Sequence, residues 1–381
     1  MENYGLNNLQ VGQTRGHLIG ACIADLHFSA YNPKEQYDTL TEQFTKVIMN
    51  YPKLDYILIA GDIYDHKLMG NSDGLLYASM FVNDLVYIAK MKGSTIIMIH
   101  GTFSHDADQL KNFYHYLNDK ELDMRIITSI QMITVKGARM LCIPELYGID
   151  ESIYNEYLHY SGYYDFAFLH GTFEGAVYGN NVGNGRLFTF HDFDMCRGFM
   201  VGGHVHTPGC HKGYFYYTGS PYRWKFGEEE EKGFLTTILD LDTYRHYVQF
   251  NPIKCRTYIT IDMETLISND PKDIINYINN LQINQGIDFL KVKFRTPIKG
   301  ADKVIIDNYY RNNGKTFVEF LDVMEERRIK DRENGVISEE YDFILDSQLS
   351  DFEKFVRYVN LKEGGEFITV DKLRQLLEDK I

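Results

Sequence analysis

HLIGACIADLHF (17–28) and DYILIAGDIYDH (55–66) are apolar runs that each end abruptly in acids and histidine. An uninterrupted apolar run of this length, bounded by Gly and Asp, reads as a strand buried on both faces. Four more runs follow the same plan: STIIMIHG (94–101), RMLCIPE (139–145), YDFAFLHG (164–171) and GFMVGGHVH (198–206). Between the earlier runs, apolar spacing predicts helices over 34–50, 74–92, 107–120 and 150–161. Strand alternating with helix predicts an α/β layered domain. In four of the runs the polar residues sit where the strand stops: Asp25 and His27, Asp62 and Asp65, His100 and His105, and His170. Ligands of open α/β sheets collect at the carboxyl ends of strands, so one shared site is the economical reading.

The chain has 381 residues, which at about 100–200 residues per domain predicts two or three domains. Hydrophobic residues make up 44% and charged residues 24%, which excludes collagen-like, low-complexity and largely disordered classes. A net charge of −14 excludes bulk attraction to nucleic acid, so contact with a polyanion needs a local basic patch, a bound cation or a basic partner. The 5 cysteines are widely spaced with no CxxC pair, which suggests neither a disulfide framework nor a structural zinc site and fits a reducing cytoplasm. The N-terminal stretch lacks the apolar core of a signal peptide, and no stretch approaches the roughly 20 apolar residues of a membrane span.

The composition shifts after residue 251, placing a first domain at 1–250. Strands are predicted over 256–266, 289–298 and 315–323, with helices near 271–281 and 301–312, as in a smaller α+β domain over 251–330. Residues 252–335 carry 14 Lys+Arg against 13 Asp+Glu, so the relatively basic part is this second domain. RRIKDRENG (327–335) is polar and reads as a linker, and residues 331–381 form a linker and helical segment with helical patterns over 338–361 and 369–381. Such an amphipathic end fits either a partner's groove or packing on its own domain.

Five motifs can carry chemistry. Asp25-Leu-His27 sets a carboxylate and an imidazole two residues apart, a spacing that lets both face one ion. In Gly61-Asp62-Ile63-Tyr64-Asp65 the glycine permits a sharp exit, and a carboxylate held there has two oxygens to share between two metals. GTFSHD (101–106) offers His105 as a general acid whose tautomer is fixed by Asp106 or a backbone group. His170-Gly171 and Gly202-Gly203-His204-Val205-His206 add imidazoles, the last in HxH metal-binding spacing. Each motif alone also fits a turn cap or a structural residue. Their order, each behind an apolar run, points to a pair of metals held by carboxylates and imidazoles. Manganese, iron or zinc suits that donor set better than calcium.

In this order the five blocks resemble the calcineurin-like metallophosphoesterase superfamily. IADLHF (23–28), LIAGDIYDH (58–66) and YYTGSPYRWKFGEEEEKGF (216–234) are closer still to the SbcD-type DNA exonucleases. The likeness covers residues 17–240 and, beyond them, only the order of domains. It implies an αββα sandwich with a capping domain over 251–330 and a C-terminal helical segment within 331–381. It further implies two divalent ions, manganese foremost. One would take Asp25, His27, Asp62 and His206; the other Asp62, His170, His204 and a ligand from the third block. That block reads GNHD in the family, with the Asn on metal. Here it is longer by two residues, which puts Ser104 or water in the ligand position beside the catalytic His105 and Asp106. The resemblance also implies DNA as substrate, contacted by Lys291, Lys293 and Arg295 along one strand. An SMC-like, SbcC-type ATPase would bind the C-terminal helices of a homodimer in the cytoplasm, or in a host's cytoplasm for a phage member. A non-catalytic DNA-binding scaffold and a small-substrate phosphodiesterase remain as alternatives.

Three other features are set aside. NGKT (313–316) is not a P-loop, because the first glycine of that motif would fall at Tyr309. GAVYGNNVGNGR (175–186) reads as a mobile loop beside His170, with DNA contact as its alternative, and Glu228 to Glu231 as a solvated turn.

Overall fold

The computed structural model describes residues 16–176, 186–296, 298–320, 349–363 and 369–372. They divide into two compact units, Met1–Tyr258 and Ile259–Ile381.

The strands of the first unit, in chain order, are β1 (His17–Ile23), β2 (Tyr56–Ala60), β3 (Thr95–Ile99), β4 (Asp123–Ile127), β5 (Gln131–Val135), β6 (Ala138–Ile143), β7 (Tyr164–His170), β8 (Thr172–Phe173), β9 (Leu187–Phe188), β10 (Cys196–Gly203), β11 (Gly209–His211), β12 (Phe215–Tyr217), β13 (Gly233–Asp240) and β14 (His246–Pro252). One six-stranded sheet has the order β14-β13-β1-β2-β3-β4 and the other β11-β12-β10-β7-β6-β5. Within the first sheet β1 to β4 are mutually parallel, while β13 and β14 add an antiparallel edge. Within the second, β6, β7, β10 and β12 are parallel. The fold class is therefore α/β, with mixed parallel and antiparallel sheets.

The uninterrupted apolar runs arise because alternate residues of one strand feed two different cores. From β1 and β2, Ile19, Ala21, Ile23, Ile57 and Ile59 join Phe44, Phe81, Val82 and Leu85 of the helical segments Pro33–Met49 and Asp73–Lys92. Their neighbours Leu18, Cys22, Tyr56 and Leu58 join Met140, Phe166, Phe168 and Val201 of the other sheet. That second sheet turns Leu141, Ala167 and Leu169 outward onto Tyr154 and Leu158 of the helical segment Glu151–Tyr160. The layers thus run helices, sheet, sheet, helices. Within the first sheet, the neighbouring strands β1 and β2 crowd at Gly20, where an added Cβ would lie 2.0 Å from the ring of Tyr56.

Several expectations change in detail. Residues 107–120 form a 3₁₀ helix at Gln109–Asn118, and 150–161 an α turn that widens to π after Asn155. β4, β5, β8, β9 and β11 to β14 were not expected: β4, β5 and β11 are short with exposed faces, so no apolar run marks them. β14 reaches Pro252 and the first unit ends at Tyr258, so the expected boundary at 250 cuts through a strand.

In the second unit β15 (Tyr258–Met263), β16 (Phe289–Phe294) and β17 (Thr316–Phe320) form a sheet in that order, with helices Pro271–Asn284 and Gly300–Tyr310. Leu290, Val292 and Phe294 pack on Ile274, Ile278 and Ile306. Lys291 and Lys293 therefore share the opposite face of β16. Arg295 lies past its end, with its guanidinium 3.1 Å from Asp262. A helix follows at Asp351–Glu363. The linker 327–335, most of 338–350 and most of 369–381 lie outside the described residues, as does most of 175–186. No helix among the described residues is long and apolar enough to cross a membrane.

Gly20→Ala is expected to lower unfolding stability by about 1–3 kcal/mol, because Tyr56 is fully buried and cannot move aside. Urea unfolding of the two proteins checks this.

Candidate metal centre

Every strand-end residue of interest follows a strand with at least one parallel neighbour. Asp25 and His27 follow β1, Asp62 follows β2, Thr102 and His105 follow β3, His170 closes β7, and His204 and His206 follow β10. At four of these positions the backbone turns left-handed without glycine: Asp25 (φ 54°), His27 (φ 42°), Asp62 (φ 50°) and His204 (φ 91°). Such conformations cost on the order of 1–3 kcal/mol each and gather at functional sites. Close backbone approach is allowed by Gly203, where a Cβ would lie 2.1 Å from the Ala60 carbonyl, and by Gly101, where it would lie 2.2 Å from the Asp62 nitrogen.

The side chains converge. Asp25, His27 and His206 form one group, His27, Asp62 and His105 a second, and Asp62, His170 and His204 a third; within each, one donor atom per residue lies within 4.8 Å of the others. Asp62 belongs to two groups, and so does His27. The Asp62 Oδ2 lies 3.3 Å from His170 Nε2 and 3.7 Å from His27 Nε2. His27 is buried, yet neither ring nitrogen has a hydrogen-bond partner among the described residues. An orphaned pair of buried nitrogens facing carboxylates fits a cation, which satisfies both kinds of group at once.

The surroundings orient these donors. His170 Nδ1 donates to the Ala60 carbonyl at 2.7 Å, which turns Nε2 toward Asp62. The backbone N–H of His204 donates to both oxygens of Asp25, at 2.9 and 3.1 Å. Glu228 is buried; its Oε1 lies 2.9 Å from His206 Nδ1, while its Oε2 accepts from the Trp224 N–H and lies near Lys232. The expected solvated turn at Glu228 is thus corrected: its first acid is a buried carboxylate that orients a candidate ligand, because the chain folds back to bring it under His206. Trp224, the only tryptophan, stands 4.8 Å from His27 and 4.7 Å from His206 between ring centres.

The third block differs from expectation at three residues. Ser104 is exposed on the short helix Phe103–Asp106, while Thr102, one step before that helix, turns its hydroxyl into the cluster. Thr102 Oγ1 lies 3.2 Å from Asp62 Oδ2 and 2.9 Å from Glu145 Oε2, and its N–H donates to Asp62 Oδ1 at 2.6 Å. Ser104, two residues further on, lines the exposed part of the cleft above the donors. Asp106 does not hold His105. It is fully buried and accepts from the backbone N–H groups of Gly101, Asp62, Ile63 and Tyr64, at 2.8, 3.1, 2.8 and 3.2 Å. His105 is held by a backbone group instead, the Asp65 carbonyl, which its Nδ1 meets. His100 turns away to the carbonyls of Gly101 and Ala107.

Two residues that sequence reasoning passed over complete the cluster. Glu145 ends the RMLCIPE run and sits 3.2 Å from His204 Nδ1 and 3.6 Å from His170 Nε2. A polar residue closing an apolar run was the available signal. Thr102 carried none, since a neutral hydroxyl marks no chemistry by type.

Mutual electrostatics bind protons here. Burial favours neutral His170, but Asp62 beside it outweighs this and pushes its pKa up to about 10. Burial would raise Asp62, yet His170, His27 and His105 hold it well below the usual carboxylate range. Glu145 is drawn down to about 2, against burial, by His204 and His170. A divalent cation held by these groups would supply the positive charge that protons supply here, so its binding would release protons. Above the donors lies a cleft of about 620 Å³, lined also by Phe103, Tyr147 and Lys225.

No known family's sequence profile matches this chain, and no curated protein matches it. A solved structure described only as a crystal structure aligns at 11% sequence identity over 62% of this chain and 99% of its own, with a TM-score of 0.40. A likeness that low carries no argument about function.

Glu228→Ala is expected to weaken divalent-cation binding about 10–100-fold by freeing His206, as read by titration calorimetry with manganese. Asp106→Ala leaves buried N–H groups without an acceptor. It should lower stability by at least about 1–3 kcal/mol in urea unfolding, and an unchanged midpoint would refute that role.

Proposed function

We propose that this chain is a metal-dependent phosphodiesterase that cuts DNA, a nuclease of the calcineurin-like metallophosphoesterase type with two divalent ions, manganese foremost. The observation that carries the reading is Asp62, whose carboxylate belongs to two donor groups at once. On this reading Asp25, His27 and His206 complete one site with it, and His170 and His204 the other. The layered order of helices, sheet, sheet and helices supports the same assignment.

The ions, when bound, polarise the phosphoryl oxygens and activate the attacking water. The protein's part is positioning and proton transfer. A carbonyl oxygen can only accept, so His105 Nδ1 carries the proton toward Asp65, and Nε2 is the ring nitrogen left to serve the leaving oxygen. His105 donor atoms lie within 4.8 Å of those of His27 and Asp62, close enough to act on a phosphate held there. Trp224 and Lys225 line the cleft, an aromatic face and a cation beside the phosphate position. The stretch 216–234 that contains them is the one resembling SbcD-type exonucleases.

DNA as substrate rests on that resemblance and on Lys291 and Lys293, which share one face of β16 and would contact phosphates from the second unit. The same reading makes the C-terminal helix, 351–363, part of a docking segment for an SMC-like ATPase. It also makes the working assembly a homodimer.

Incubation of the protein with linear duplex and single-stranded DNA in manganese tests the proposal. Wild type should release nucleotides, Asp62→Ala should lose essentially all activity, and His105→Ala should fall by about 10²–10⁴-fold. Cleavage of small phosphodiesters alone would reassign the substrate. DNA binding without cleavage under manganese, iron or zinc would make the chain a scaffold.

A further inference from the structure

The metal site formed by Asp62, His170 and His204 has an oxygen donor that none of the five motifs contains. Glu145 Oε2 lies 3.2 Å from His204 Nδ1, 3.6 Å from His170 Nε2 and 2.9 Å from the Thr102 hydroxyl. The same hydroxyl reaches Asp62 Oδ2 at 3.2 Å. These are distances between atoms that converge on one point without yet being bonded through it. Glu145 is buried at the base of the cleft, which leaves its carboxylate little room for hydration. Its other oxygen accepts from the Tyr147 hydroxyl, which fixes the carboxylate with Oε2 turned toward the histidines.

We propose that Glu145 is a direct ligand of the second ion, filling the position vacant in the third block, with Thr102 aligning it with Asp62 by donating its hydroxyl to Glu145 and its N–H to Asp62. The assignment rests on the two-ion reading above and deepens it. It gives that ion two carboxylates and two imidazoles, where Ser104 or water would have left a weaker and less charged shell. With Asp62 shared, the carboxylates of Asp25, Asp62 and Glu145 offset most of the charge of two divalent cations, and their oxygens favour hard ions such as manganese. The second ion is therefore held about as firmly as the first. The source of the ligand also differs: it comes from the end of β6, in the second sheet, so both sheets contribute acids as well as imidazoles.

The test is manganese binding by the full-length chain, read by calorimetric stoichiometry and by the spin-coupled resonance spectrum of a manganese pair. Wild type should bind two ions and show the coupled spectrum. Glu145→Gln, which keeps the shape and removes the charge, should bind one ion normally and the second on the order of 100-fold more weakly, with the coupled spectrum lost. Glu145→Asp, which keeps the charge on a shorter arm, should recover part of that affinity and some coupling. Circular dichroism of each metal-free variant checks the fold. A Glu145→Gln protein that is folded, binds two ions at wild-type affinity and retains the coupled spectrum overturns this assignment while leaving the two-ion reading intact. A wild-type protein that binds fewer than two ions overturns both.

Discussion

The carboxylate of Asp62 stands between two sets of imidazoles, 3.3 Å from one ring nitrogen of His170 and 3.7 Å from one of His27. Nothing flexible holds it there. Its backbone is in the left-handed region, its own N–H is bound by Asp106, and the Thr102 N–H is bound to one of its oxygens. Asp106 pins the three successive N–H groups of Asp62, Ile63 and Tyr64 together with that of Gly101. A buried carboxylate used in that way stores rigidity in hydrogen bonds and not in chemistry. Loss of that clamp would let Asp62 relax to an ordinary turn and part the two donor groups.

The strain is distributed as well as offset. Asp25, His27 and His204 share the unusual backbone sign, and Asp25 takes the N–H of His204 on both its oxygens. A candidate ligand from the first sheet thus holds the backbone of one from the second. The site is a seam between sheets whose positions are set by a close-packed core of Tyr56, Phe166, Phe168 and Val201. Sub-ångström placement of donors needs that rigidity, because a cation discriminates by distance and geometry.

Much of the centre is visible in the residues themselves. Asp25, His27, Asp62, His105, His170, His204 and His206 all carry titratable groups at the ends of apolar runs, and all meet in the cluster. The runs mark themselves because strands buried on both faces must be apolar throughout. Antiparallel and edge strands such as β5 and β11 lack that signature, and the sequence reading passes over them. The same logic separates the acids. Asp106 and Glu228 look like a catalytic partner and a surface residue, yet one clamps backbone and the other is buried against His206.

Sequence alone determined which side chains can do chemistry and that they sit at strand ends, because burial on two faces leaves a pattern of composition and a polar residue at its close is conspicuous. Tertiary structure alone decided which of them touch. Whether the Thr102 hydroxyl reaches Asp62 depends on how the chain turns after β3, and whether Glu145 reaches His204 depends on how two sheets stack. Those are distances through space between segments far apart in the chain, and no local pattern of residues encodes them.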